Sequence, residues 1–439
     1  MKRRRFRLVV PLLAAVLTAA LTGCASDTER RSVTIVHPWS GAEGAAFRAV
    51  LNEFQERHRI EVIEQSARGV SQLVLANLAA GEPPDLAVMA NAGELAAHAR
   101  AGRLHPLDDL VPRDRFPRSW TLPIGDGDGP EHSYAVPFKV NLKGLIWYNT
   151  RARPEPVPRT YPELERYVRD HGDGAAAWCM GMGDGPNAGW PGTDVIEDLI
   201  LHEHGHETYL RWAAGDLSWR SAEVRSAWER LRRVWADNAY GGRQVALLTD
   251  FADAGAPMFG RAQGCLLEHQ ASFMLNFYER YRNASGGAAR PGADYDFFPF
   301  PPFPDRSFSP PRKAAIDMVA MFRRTEEAEQ LIQWLAGAEA QRIWLQRTDG
   351  NAFMANPDAD RDVPRRNEVA SKIDRHIDTA EVLCLDAADM MPAAMREAFQ
   401  RGVLEYLADS RRLPDILAEL DEVRRAVPEE QWVSLSCER

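Results

Sequence analysis

The chain has 439 residues, 45% of them hydrophobic, with 53 basic against 63 acidic side chains and a formal net charge of −10. That balance offers no basic field for a polyphosphate and argues against nucleic acid as a partner. The length is ample for a large buried core and points to two domains or more.

The first seven residues, MKRRRFR, carry five positive charges, and an apolar run follows from Leu8 to Leu21. The run falls short of the ~20 residues that a membrane-spanning helix needs. Residues 1–23 therefore read as a secretory signal peptide. Leu21-Thr22-Gly23-Cys24 resembles the bacterial lipobox, in which the cysteine is lipidated and becomes the new N-terminus, with residues 24–31 as its tether. The alternative is a secreted protein cut nearby, with Cys24 incidental. Cleavage after residue 23 removes five cations and no acid, which leaves 48 basic against 63 acidic groups and a formal net of −15. Only five of the basic residues are lysines. The Arg excess is taken as compositional bias rather than a phosphate-binding patch.

From Ser32 the pattern alternates: strand VTIVHPW, helix AAFRAVLNEFQERH, strand IEVIEQ, helix from Val70 to Ala80, strand LAVMA. Phe47, Val50, Leu51 and Phe54 recur at helical spacing. Such βαβ alternation predicts a parallel sheet with right-handed crossovers. Ligands of such sheets sit beyond the strands' carboxyl ends, which singles out the loops carrying His37, Trp39, Glu43 and Asn91. Trp39 could equally cap the core beneath its loop.

The segment Tyr134 to Asn149, YAVPFKVNLKGLIWYN, is the centre about which two α/β bodies are arranged. Val136, Phe138, Val140 and Leu142 alternate with residues that include Lys139 and Asn141, the period of a strand with one wet face. Pro137 suits an edge or entry position. Two readings stand, a hinge strand beside a polar cleft or an ordinary edge strand.

Beyond it come a Pro-rich linker with a short helix over 154–170, a buried strand at AAWCMGM, and the loop GDGPNAGWPGTDVIED from Gly183. Thr193-Asp194 is placed to cap the following helix. Trp190, held by Gly and Pro beside polar groups, has what a sugar site needs, because a pyranose presents an apolar face to stack on and a rim of hydroxyls. The competing reading has Trp190 in the core. Further on, DYDFFPFPPFP reads as a strand entering a Pro-rich connection, and Ala314 to Phe322 as the return strand. With Cys24 assigned to lipid, Cys179, Cys265, Cys384 and Cys437 form an even set in a disulfide-permissive compartment, and three pairings are open.

Taken in order, the lipobox, the strand–W-x-G-x-E-G–helix, YAVP with LIWYN, CMGMGDGPNAGWPGTDVIEDLIL, DAGAPMFGRAQGCLLEHQASF and LDAADMMP resemble the family 1 extracellular solute-binding proteins. More narrowly, they resemble the carbohydrate-binding members of ABC importers, in particular the α-glucoside-type branch. The resemblance implies a two-lobe α/β fold of the type II periplasmic-binding-protein class, with hinge crossing strands and a sugar held in the cleft. Residues 32–140 and 312–355 would form lobe 1, and 141–311 with 356–439 lobe 2. The family's cleft positions fall on Trp39, Glu43, Lys139, Asn141, Trp190, Asp194, Phe273 and Asn351. The cysteine before the GWP loop recurs in this branch with one in GCLLEHQASF, which implies Cys179–Cys265 and leaves Cys384–Cys437. Two loops depart from the pattern, HPWSGAEG, with no acid beside the Trp, and GNAFMANPDAD, in place of a Gly-rich turn. The implied protein is a monomeric receptor without cofactor or metal, lipid-anchored outside the cytoplasmic membrane, delivering carbohydrate to importer permease subunits.

One enzymatic alternative needs weighing. His202-Glu203-His204-Gly205-His206 satisfies H-E-x-x-H, in which two His one turn apart bind zinc and Glu is general base. A secreted metal-dependent hydrolase would use His202, Glu203 and His206. Gly205 inside the motif and the lack of a third ligand motif weigh against it.

Overall fold

The computed structural model describes residues 31–125, 130–171, 176–304, 308–359, 367–434 and 436–437. The signal peptide, Cys24 and the tether up to residue 30 lie outside them.

Two sheets organise the chain. The first contains β1 (Ser32–His37), β2 (Glu61–Ser66), β3 (Leu86–Met89), β4 (Val136–Leu142), β9 (Arg312–Met321) and β10 (Leu383–Leu385). The second contains β5 (Leu145–Asn149), β6 (Ala176–Cys179), β7 (Cys265–Gln270) and β8 (Tyr295–Pro299), in the order β8-β5-β7-β6. β1 pairs in parallel with both β2 and β3, as the alternation predicts. Strand β9 runs antiparallel to β3 and β4 and, through Arg312–Ala314, parallel to β10.

Helix α1 (Gly41–His58) forms because Phe47, Val50, Leu51 and Phe54 share one face, and all four are buried against the first sheet's core. Arg59, in a left-handed conformation at φ 57°, ends it. Helix α2 (Val70–Ala80) stops at Gly81, also left-handed.

The central segment is two strands rather than one. β4 belongs to the first sheet and β5 to the second, and only Lys143-Gly144 separates them. Gly144 has φ +67°, and a Cβ there would meet the Asp198 carboxylate at 2.9 Å, so the turn requires glycine. The expected wet face of β4 is corrected: every residue of the strand is buried, Lys139 and Asn141 included, because this face looks into the cavity between the sheets rather than onto the outer surface. Pro137 sits opposite Met318 where the register with β9 shifts, a place where a missing N–H costs little.

Helix α3 (Trp190–Ala213) starts earlier than the expected cap. Thr193 lies inside it and donates its hydroxyl to Trp190 O, while Pro191 occupies the first turn and Gly189, at φ +104°, turns the chain in. Cys179 is bonded to Cys265 and Cys384 to Cys437. The first bond ties β6 to its neighbour β7, and the second ties β10 to the C-terminal segment.

Candidate functional site

Where the two sheets meet, a cavity of about 310 Å³ opens, at the small end of the ~300–1,000 Å³ usual for ligand sites. Trp39 and Asn91 reach its wall from just past the carboxyl ends of β1 and β3, the position expected of an α/β sheet. Glu43 follows from the first turn of α1, where the helix dipole favours a carboxylate.

One charge cluster lies on the first sheet. Lys139 Nζ is 2.5 Å from Glu43 Oε1 and 3.5 Å from Asp317 Oδ2, and Asn141 donates to the same Asp317 oxygen at 3.1 Å. Burial alone draws the Lys139 ammonium down, but Glu43 and Asp317 more than reverse this, so it stays charged.

A second cluster spans the crossing. Lys143 Nζ lies 2.9 Å from Asp194 and 3.3 Å from Asp386. Lys313 on β9 donates to Asp194 O at 2.9 Å and reaches Glu197 at 3.1 Å and Asp198 at 3.6 Å. Glu197 also accepts from the backbone N–H groups of Ala387 and Ala388, and Asp198 pairs with His269 at 2.7 Å. Burial lifts Asp194 to about 6 and, with Asp386 adding repulsion, Asp389 to about 7. For Asp386 burial acts upward too, but the nearby ammoniums of Lys143 and Lys313 prevail and hold the carboxyl below its usual range. Carboxyl oxygens of Asp194, Glu197 and Asp386 lie within 4.8 Å of one another, close enough to hold a metal ion. Lys143 and Lys313 already supply that positive charge.

The aromatic walls differ. Trp190 is partly exposed, edge-on to Phe251 with ring centres 5.0 Å apart, and its Nε1 donates to Asp184 at 3.1 Å. Burial lifts the Asp184 carboxyl to about 6, against the pull of Arg68. Phe273 and Phe277 extend this wall. Trp39 is only 4% exposed, within an aromatic cluster with His37, Phe47, Phe138 and Trp344. It touches the cavity from the core side. Lysine ammoniums stand over both indoles, Lys143 at 5.0 Å from Trp190 and Lys139 at 5.7 Å from Trp39.

Seven of the eight positions that the family resemblance implied line this one cavity, Trp39, Glu43, Lys139, Asn141, Trp190, Asp194 and Phe273, as does Asn91. Asn351 does not. Its amide donates to Glu279 and accepts from Asn367, which ties down the departing GNAFMANPDAD loop instead. The sequence reading missed Lys143, Asp317, Asp386, Asp389 and Arg396, all on the wall. A usable signal was there: of five lysines in the chain, Lys139, Lys143 and Lys313 are buried around the crossing. Their scarcity marks position rather than compositional bias alone.

The H-E-x-x-H reading is corrected. Gly205 has φ 84° and ψ 169°, so two helical pieces meet at a kink and His202 and His206 do not share one regular turn. Glu203 is held by Arg230 at 2.8 Å, and the His202 ring is buried against Phe300.

Comparison with known proteins agrees with this geometry. The α-glucosides-binding periplasmic protein AglE of Rhizobium meliloti (strain 1021) is 29% identical over 396 residues, covering 87% of this chain and 84% of AglE. The osmoprotective compounds-binding protein GgtB of Synechocystis sp. (strain ATCC 27184 / PCC 6803 / Kazusa) is 29% identical over 397 residues, covering 88% and 90%. Among solved structures, the bacterial solute receptor AcbH superposes with a TM-score of 0.74 at 19% identity, over 90% of this chain and 98% of that one. A chitin oligosaccharide binding protein gives 0.74 at 16% identity, over 91% and 99%. The fold is thus the two-lobe α/β arrangement with crossing strands, its relatives are binding proteins rather than enzymes, and the hydrolase alternative has no support. With the model for bacterial extracellular solute-binding proteins matching residues 38–342, the chain belongs to that family.

Proposed function

We propose that the protein captures a neutral sugar or small glycoside outside the cytoplasmic membrane and hands it to an ABC importer. The observation that carries this reading is the makeup of the cavity wall. Partly exposed aromatic rings stand beside carboxylates and ammoniums that are already paired with each other, as Lys139 is with Glu43 and Lys143 with Asp194. Paired ions present hydrogen-bond acceptors and donors to hydroxyls without calling for a charged partner. A quaternary ammonium ligand would need the Trp190 and Trp39 faces, over which lysines already stand. An anionic sugar would meet Asp317, Asp386 and Asp389. The relative whose name states α-glucosides fits the same class.

The closing units in this reading are residues 32–140 with 312–355 and 141–311 with 356–439, with β10 on the seam beside the first residues of β9. The receptor acts as a monomer, held at the membrane by lipid on Cys24. Trp39, Glu43, Lys139 and Asn141 meet the ligand from one side and Trp190, Asp194 and Phe273 from the other. A ligand touching both units supplies the differential affinity that closure needs.

Thermal-shift screening of the purified protein against neutral mono- and oligosaccharides, uronic acids and glycine betaine tests the reading, since a ligand that binds only the folded state raises the melting temperature. A shift with neutral sugars alone is expected. A shift with betaine or uronates alone sinks the sugar reading.

A further inference from the structure

The Arg68 side chain crosses the rim of the cavity. Arg68 follows β2 in the first-sheet body, lines the cavity, and is still half exposed, so it stands where cavity meets solvent. It reaches to the opposite body: Nη1 donates to Asp250 at 2.7 Å and lies 3.6 Å from Asp184, and its guanidinium stands 5.8 Å from the centre of the Phe251 ring. The backbone beside it makes further contacts with the same wall. Asn187 donates to Arg68 O at 3.3 Å, and a Cβ on Gly69 would touch Pro186 at 3.4 Å. The lip it meets is braced from behind, because Arg280 donates to Ala252 O at 3.0 Å and lies over Phe277 at 4.7 Å.

We propose that Arg68 sets the upper size of the ligand, closing the cavity mouth against Asp250 so that the site takes glycosides of one or two sugar units and rejects longer chains. The inference rests on the sugar-receptor reading. A chain of three or more units has to pass through the mouth, and to do so it must displace the guanidinium from Asp250 and Asp184 together. At about 310 Å³ the cavity is at the small end of ligand sites, so added units have to extend past this mouth. Asp184 adds a link to the stacking ring: the carboxylate that faces Arg68 also accepts the Trp190 Nε1 proton, so Arg68 and the Trp190 ring are positioned through one group.

The test is calorimetric titration of the mature protein, and of its Arg68→Ala, Arg68→Lys and Asp250→Ala variants, with glucose, galactose and their neutral oligosaccharides of two, three and four units. The wild type should bind a one- or two-unit sugar at least about tenfold more tightly than the three-unit member of the same series. Arg68→Ala and Asp250→Ala should close most of that gap, and Arg68→Lys should restore part of it. A wild type that binds three- and four-unit sugars as tightly as two-unit ones, or an Arg68→Ala protein that is folded yet keeps the wild-type length profile, overturns the proposal while leaving the receptor reading intact. Binding of none of the neutral sugars, with glycine betaine or a uronate bound instead, overturns both.

Discussion

Lys143 Nζ sits 2.9 Å from Asp194 Oδ2, joining the two-residue crossing between β4 and β5 to helix α3. Both groups are nearly inaccessible to solvent, and Asp386 shares the same ammonium at 3.3 Å. Desolvating three charges is costly, and the cluster holds only while each has its partner.

Removing the cation should therefore be severe. Lys143→Met leaves Asp194 and Asp386 with the more distant Lys313 ammonium, at 3.8 and 3.9 Å, and a loss of about 3–5 kcal/mol of stability is expected from breaking such a buried pair. Because Asp194 already titrates at about 6, protonation relieves part of the strain, and the deficit should be smaller at pH 5 than at pH 8. Urea unfolding at the two pH values measures both effects. A variant as stable as the parent at pH 8 would show that the carboxylates are compensated elsewhere.

The two indoles should separate in their responses. Trp190 is partly exposed and edges onto Phe251 and Phe273, so Trp190→Ala should cost on the order of 1–3 kcal/mol of affinity for the best sugar ligand, with little change in melting temperature. Trp39 lies among Phe47, Phe138 and Trp344, and Trp39→Ala should instead lose about 3–5 kcal/mol of fold stability. Calorimetric titration together with melting curves on both variants checks the contrast. A sharply lowered melting temperature for Trp190→Ala with normal binding by the folded fraction makes that ring structural.

What the sequence revealed and what it hid divide along a physical line. The β1–α1–β2–α2–β3 run was legible because its apolar spacing is a local signal, and Val70–Ala80 emerged with the expected bounds. The wet face of β4 was not, since alternation reports polarity but not whether the polar side meets the outer surface or a cavity between sheets. Thr193 misled because cap chemistry competes with Pro191, which favours the first turn, and Gly189 set the start. The partners of Lys139 and Lys143 were hidden for a topological reason. Glu43, Asp317 and Asp386 come from segments far apart in the chain, and no spacing rule brings them together. His202 to His206 matched a motif whose helical continuity depends on the one residue that breaks it, Gly205.

Anchoring is separable from folding. Cys24→Ser should leave the mature fold intact and release the protein from the membrane fraction, since retention by this route rests on acyl chains, of which a single one anchors only marginally. Fractionation of cells expressing the variant reads this directly. Unchanged membrane retention rules out the lipid assignment.

Stability should fall as pH rises through neutrality, and Glu268 is the group to watch. This carboxyl on β7 is 1% exposed; Tyr278 donates to Oε2 at 2.7 Å, and Oε1 has no hydrogen-bond partner among the described residues. Burial lifts its titration to about 8, outweighing the downward pull of the Tyr278 hydroxyl. The folded state therefore holds a proton that the unfolded chain gives up near the ordinary carboxylate value, so between about 4.5 and 8 the folded state binds more protons than the unfolded one. Stability falls with pH over such a window, by ~5 kcal/mol at most for this one group. Glu268→Gln keeps a neutral group of the same shape and removes the titration. Its melting temperature should match the parent's near pH 5 and exceed it at pH 8.5, with a correspondingly flatter decline. Asp389, lifted to about 7, contributes a decline of the same sign in both proteins, so the difference between the two curves isolates Glu268. Parallel curves over that range would mean that the carboxyl ionises in place without penalty, through water or a backbone donor that reaches Oε1.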